Sequence, residues 1–144
     1  MKVADIIRKK GTAVITIHED APLSAAIAIM HAHDLGSLVV LDRQERVVGL
    51  LTERDVVHAL ARHPHNVTTI RVRSVMNPHV STCGLNDQVK QAAALMIRHR
   101  TAYLPVMEEG RLAGIVSMSD VVQRRMDEVE AETNVLREII LATH

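Results

Sequence analysis

Thr52-Glu53-Arg54-Asp55, entered from Gly49-Leu50-Leu51, brings together the residue types that could hold a sugar phosphate. An ionised carboxylate only accepts hydrogen bonds, so Asp55 suits a diol offering two donors. Arg54 supplies a planar fork that matches phosphate oxygens. A helix starting here would add unsatisfied backbone N–H groups and a dipole end favourable to an anion. The same residues also read as a capping box, with Thr52 Oγ accepting from a first-turn N–H. Taken alone, the four residues favour the cap, because capping boxes are common.

The elements around the motif change that balance, because the chain is written twice. A second copy ends Gly114-Ile115-Val116-Ser117-Met118-Ser119-Asp120. Leu23, Ala26, Ile27 and Met30 correspond to Val89, Ala92, Ala93 and Met96, and both sets follow the i, i+3, i+4, i+7 spacing of one helix face. Before each helix comes a short strand, residues 14–17 in the first unit, and then Asp20 or Asp87 placed to cap it. After it come two strands across a polar turn, residues 37–41 and 47–51 in the first unit. Pro105 interrupts its strand pattern, which predicts a short or edge strand there. Each unit closes with a helix from near Thr52 or Ser117. The expected fold class is therefore α/β (α+β), with the order β-α-β-β-α occurring twice in pseudo-twofold relation.

The expected boundaries are residues 1–62 for the first unit, 63–76 for a linker and 77–126 for the second. An N-terminal helix over residues 3–9 ends at Gly11, and residues 127–144 form a C-terminal helical extension. Val122, Met126, Val129, Thr133, Leu136 and Ile140 recur there at spacings of four and three. Such a stripe packs either on its own domain or on a partner chain, and the sequence leaves both readings open.

Composition narrows the function classes. The chain of 144 residues is 47% hydrophobic, yet Tyr103 is its one aromatic residue. Lys plus Arg and Asp plus Glu are each 17, giving a formal net charge of zero. Without stacking platforms or a basic field, nucleic acid is not an expected partner, and Arg71 and Arg73 are only local basic spots. The single Cys83 excludes an internal disulfide and fits a reducing compartment. No apolar run reaches the length of a membrane span or a signal peptide, so the expectation is a soluble cytoplasmic protein.

With both copies of Gly-apolar-apolar-[Thr/Ser]-x-x-Asp in place, the chain resembles a tandem pair of CBS domains, a Bateman module. The resemblance runs from about Val3 to Arg125, and GLLTERD is the closer match to the family's motif. It implies a stand-alone regulatory pair, not an enzyme, that binds an adenosine nucleotide such as AMP, ADP, ATP or NAD(H), or S-adenosylmethionine. No catalytic cofactor, catalytic residue or metal is implied. A homodimer of CBS pairs and a regulated protein are the implied partners. The alternative is a structural or dimerisation module with degenerate clefts.

The resemblance also implies clefts built jointly by both units. One would combine Thr52, Arg54 and Asp55 with His79, Val80, Ala102 and Tyr103. The other would combine Ser117, Ser119 and Asp120 with Thr12, Ala13, Val14, Gly36 and Ser37. In each, the Asp would accept from ribose hydroxyls, and Val80 or Val14 would flank the adenine. Ser119 replaces Arg54 in the second copy, so the Asp55 cleft is expected to bind phosphate better.

The remaining polar residues read as structural. His31 and His33 lie two apart on a helix and point to different faces, so they do not chelate together. Cys83 corresponds to Ile17 and reads as a buried strand residue. Tyr103 suits stacking on a base or plain packing.

Overall fold

A computed structural model describes residues 1–143 of the chain. The first unit consists of β1 (Thr16–His18), α2 (Leu23–His33), β2 (Ser37–Leu41), β3 (Val47–Thr52) and α3 (Glu53–Arg62). The second consists of β4 (Cys83–Gly84), α4 (Val89–His99), β5 (Tyr103–Glu108), β6 (Arg111–Ser117) and α5 (Met118–Thr143). Helix α1 (Val3–Lys10) precedes both. Each unit forms a three-stranded sheet in which the first strand runs parallel to the second and the third closes an antiparallel hairpin. The sequence-derived order holds throughout.

The alternation of Val, Leu and Ile explains the cores. Leu23, Ala26 and Met30 of α2 pack on Leu38, Val40 and Leu51; Val89, Ala92 and Met96 of α4 pack on Leu104, Val106 and Val116. Without large aromatics these aliphatic side chains fill both interiors, and all but Met30 and Val89 are at most 1% exposed. A third cluster, Val39, Leu41 and Leu50 with Val14, Val80, Leu112 and Ile115, lies where the two sheets meet.

Helix α1 packs on the distant unit. Val3, Ile6 and Ile7 join the core of the second unit, and Val3 N–H and Ala4 N–H donate to the carbonyls of Asp87 and Leu85 at 2.8 and 2.9 Å. A Cβ at Gly114 would lie 2.7 Å from Ile7 Cδ1, so glycine is what lets α1 close on β6. Residues 70–76 serve the first unit in the same way. Val72 is fully buried in its core, and Met76 lies against Gly49 as Ile7 lies against Gly114.

Three local expectations are corrected. Neither Asp20 nor Asp87 caps a helix: Pro22 and Gln88 hold the N-cap positions of α2 and α4. Asp20 instead pairs with Arg73, fastening the connecting segment to the first unit, and Asp87 Oδ2 accepts from Gly84 N–H at 2.8 Å. Pro105 sits within the six-residue central strand β5. It is tolerated because β4 pairs only with Val106 and Met107, leaving Pro105 unpaired on that side.

Candidate functional site

The end of β3 turns directly into α3, and Thr52 marks the change. Its backbone is extended and its Oγ1 accepts from Asp55 N–H at 3.3 Å. Asp55 Oδ2 in return accepts from Thr52 N–H at 2.9 Å and from Thr52 Oγ1–H at 3.0 Å. The capping box is complete, and it consumes one carboxylate oxygen. No group among the described residues donates to Asp55 Oδ1. The carboxylate is thus aligned by the cap while retaining acceptor capacity.

Asp55 lines a cavity of about 340 Å³ together with Gly36, Thr52, Arg54, Ala102 and Tyr103. That volume lies in the range of small-molecule sites. The resemblance groups Gly36 with the Asp120 cleft; the structure places it here. The cause is the hairpin register, which sets Ser37 opposite Thr52 and lets Glu53 N–H donate to the Gly36 carbonyl at 3.1 Å. Ser37 is buried in the same hairpin. A Cβ at Gly36 would overlap the Tyr103 hydroxyl, so the tyrosine fits against the glycine across the joint between units. Burial, and then the charge of Glu53, raises the Tyr103 phenol above its ordinary pKa.

Two expected wall residues lie elsewhere. His79 is exposed, its N–H donating to Asn77 Oδ1 at 3.0 Å, and Asn77 lines the cavity instead. Val80 packs with Val14 in the cluster between the sheets. Sequence reasoning missed His99, Arg100 and Thr101, which line the cavity beside Ala102. Arg100 ends α4 in the left-handed region at φ 51°, the position that Asp34 holds after α2. Alignment of those two C-caps was the available signal. Arg54 and Arg100 therefore both line one cavity, and neither has an ion-pair partner among the described residues.

The Asp120 motif has the same cap and different surroundings. Ser117 N–H donates to Asp120 Oδ2 at 2.8 Å, and Asp120 N–H donates to Ser117 Oγ at 3.1 Å. Lys10 Nζ, at the end of α1, also donates to Asp120 Oδ2, at 2.7 Å. Burial raises the Asp120 carboxyl, but the Lys10 hydrogen bond and then the Ser117 N–H outweigh it, so its pKa lies below the ordinary value. Asp120 lines a cavity of about 300 Å³ with Lys9 and Lys10, whereas Thr12 lines another of about 570 Å³ on the far side of α1. Thr12 and Asp120, expected in one cleft, line different cavities, with residues of α1 lining both. Ala13 and Ser119 are exposed.

Cys83 matches its structural reading. Cys83 is buried, and burial, then Asp87, pushes its thiol up to about 11. Among the described residues no cluster of His, Cys, Asp or Glu could hold a metal ion. Among the same residues no helix is long and apolar enough to cross a membrane.

The family profile described as the CBS domain matches residues 3–62 and 72–127. The chain belongs to the CBS-domain family, as a tandem pair. A CBS-domain-containing protein of Agrobacterium tumefaciens is 37% identical, with a TM-score of 0.83 over 86% of this chain and 92% of that one. An uncharacterised 17.7 kDa protein of Acidianus ambivalens is 33% identical, the match covering 81% of this chain and 70% of its own. The CBS domain pair of protein MJ0100, solved with 5′-methylthioadenosine and S-adenosyl-L-methionine, is 26% identical, with a TM-score of 0.78 over 89% of this chain and 98% of that one. Of three further curated relatives at 31% identity, this chain spans only 22% to 55%.

Proposed function

We propose that this CBS pair is a regulatory sensor that binds an adenosine nucleotide in the Asp55 cavity. The observation that carries this reading is the carboxylate of Asp55, fixed through one oxygen and open at the other, in a cavity shared with Arg54 and Arg100. Asp55 Oδ1 accepts from the ribose diol, and the two guanidinium groups with the α3 N-terminus hold phosphate. Adenosine ligands in the MJ0100 pair support the nucleoside half of the assignment. Those ligands carry no phosphate, so the two arginines favour AMP, ADP, ATP or NAD(H) over S-adenosylmethionine here.

The Asp120 cleft is the weaker of the two in this reading, because Lys10 already neutralises its carboxylate. Ligand at the joint of the units shifts their arrangement only as far as it prefers one arrangement over another. The protein performs no catalysis; a regulated partner reads its state. The test is isothermal titration with AMP, ATP, NAD and S-adenosylmethionine. Saturable binding of a phosphorylated ligand, lost in Arg54→Ala, supports the reading. No binding of any of the four favours a structural module with degenerate clefts.

A further inference from the structure

Helix α5 carries its apolar stripe away from the body of the protein. Val121, Arg124, Asp127 and Glu128, on the face turned to the body, are buried or half-buried. On the opposite face, Val122, Met126, Val129, Leu136 and Ile140 are 49% to 61% exposed. Every described residue from Val129 onward is exposed. Most helical stability in proteins comes from packing an amphipathic face, and this stripe is left exposed among the described residues.

The stripe has heptad spacing. Met126, Thr133 and Ile140 fall at a, and Val122, Val129 and Leu136 fall at d. The flanking charges then decide the partner. Arg125 and Glu132 occupy g positions, while Glu130 and Arg137 occupy e positions. In a parallel pair, each g residue meets the e residue of the following heptad on the other helix. Arg125 then meets Glu130, and Glu132 meets Arg137, on both sides of the seam. An antiparallel pair in the best apolar register instead sets Glu130 against Glu130 and Glu132 against Glu132. Glu130, Glu132 and Arg137 have no ion-pair partner among the described residues, and Arg125 holds only Glu128, at 2.9 Å.

We infer that a second copy of this chain covers the stripe, the two α5 helices forming a parallel two-stranded coiled coil over residues 122–143. The two charge pairs fix the register, since each forms only when like heptads lie side by side. The partner is self-complementary because both charge pairs are supplied by one sequence.

Two readouts on the full chain, without nucleotide, test this. Leu136→Cys should form a disulfide-linked dimer on mild oxidation, since parallel helices bring like positions together. The native Cys83 is buried and supplies the control background. By light scattering, Arg125→Glu should halve the particle mass, and Arg125→Glu with Glu130→Arg should restore it. Absence of the cross-link in Leu136→Cys, or a mass unchanged by Arg125→Glu, overturns the assignment. So does a wild-type monomer, which would point to a different protein or a membrane surface as the occupant.

Discussion

Lys10 Nζ lies 2.7 Å from Asp120 Oδ2 and 3.1 Å from the Ile115 carbonyl, across 110 and 105 residues of sequence. The contact exists because α1 packs on the second unit. It makes two motifs of like sequence chemically unlike. Asp55 has an open carboxylate oxygen in a cavity with two arginines; Asp120 has a resident ammonium group.

Replacing Lys10 should therefore expose the second motif. Lys10→Ala is expected to raise nucleotide stoichiometry from one per chain toward two in isothermal titration. A stoichiometry that stays at one would show that Lys10 is not what closes the Asp120 cleft.

Asp55→Ala should weaken the tighter binding event. Hydrogen bonds to a charged group contribute about 1.5–3 kcal/mol, so the dissociation constant should rise by roughly tenfold to a hundredfold. Asp120→Ala should leave it within about twofold. Fluorescence titration with a labelled adenine nucleotide measures both.

Thr52→Ala removes the Oγ1 that accepts from Asp55 N–H and donates to Asp55 Oδ2. A lost N-cap costs about 1 kcal/mol, so urea unfolding should move to lower concentration by a corresponding amount. Thr52→Ser, which keeps the hydroxyl, should remain close to the native protein.

The Lys10 pair also predicts a pH dependence. The folded pKa of Asp120 is depressed, so its contribution to stability is present above the unfolded value near 3.8 and is lost as pH falls through the folded value. Denaturant midpoints measured between neutral pH and about pH 3 should fall less steeply in Lys10→Met than in the native chain. An identical slope in the two proteins would refute the linkage.

Gly36→Ala tests the fit across the joint. Its Cβ would overlap the Tyr103 hydroxyl, the far end of a side chain that can move. The substitution should displace Tyr103 into the Asp55 cavity and weaken nucleotide binding, while Gly36→Ala with Tyr103→Ala should recover it. Titration of the two variants separates this from a general loss of fold.

Much of this was legible along the chain. The duplicated order of strands and helices, the apolar faces of α2 and α4, and the caps at Thr52 and Ser117 all follow from contacts within a few residues. A period of 3.6 or a four-residue capping pattern is written locally because the interaction itself is local. The two corrected aspartates show the limit: Asp20 reads as a cap until Arg73, from the connecting segment, takes its carboxylate.

Tertiary structure decided everything that joins distant segments. It sent α1 to the second unit, set Lys10 on Asp120, moved Gly36 to the Asp55 cavity, and brought Arg100 beside Arg54. These residues are ordinary helix ends and turns in sequence. Which end meets which depends on sheet register and on the packing of two cores against each other, quantities that no single segment encodes. Local residue patterns specified a paired motif with two similar halves; folding left Asp55 open and set Lys10 on Asp120.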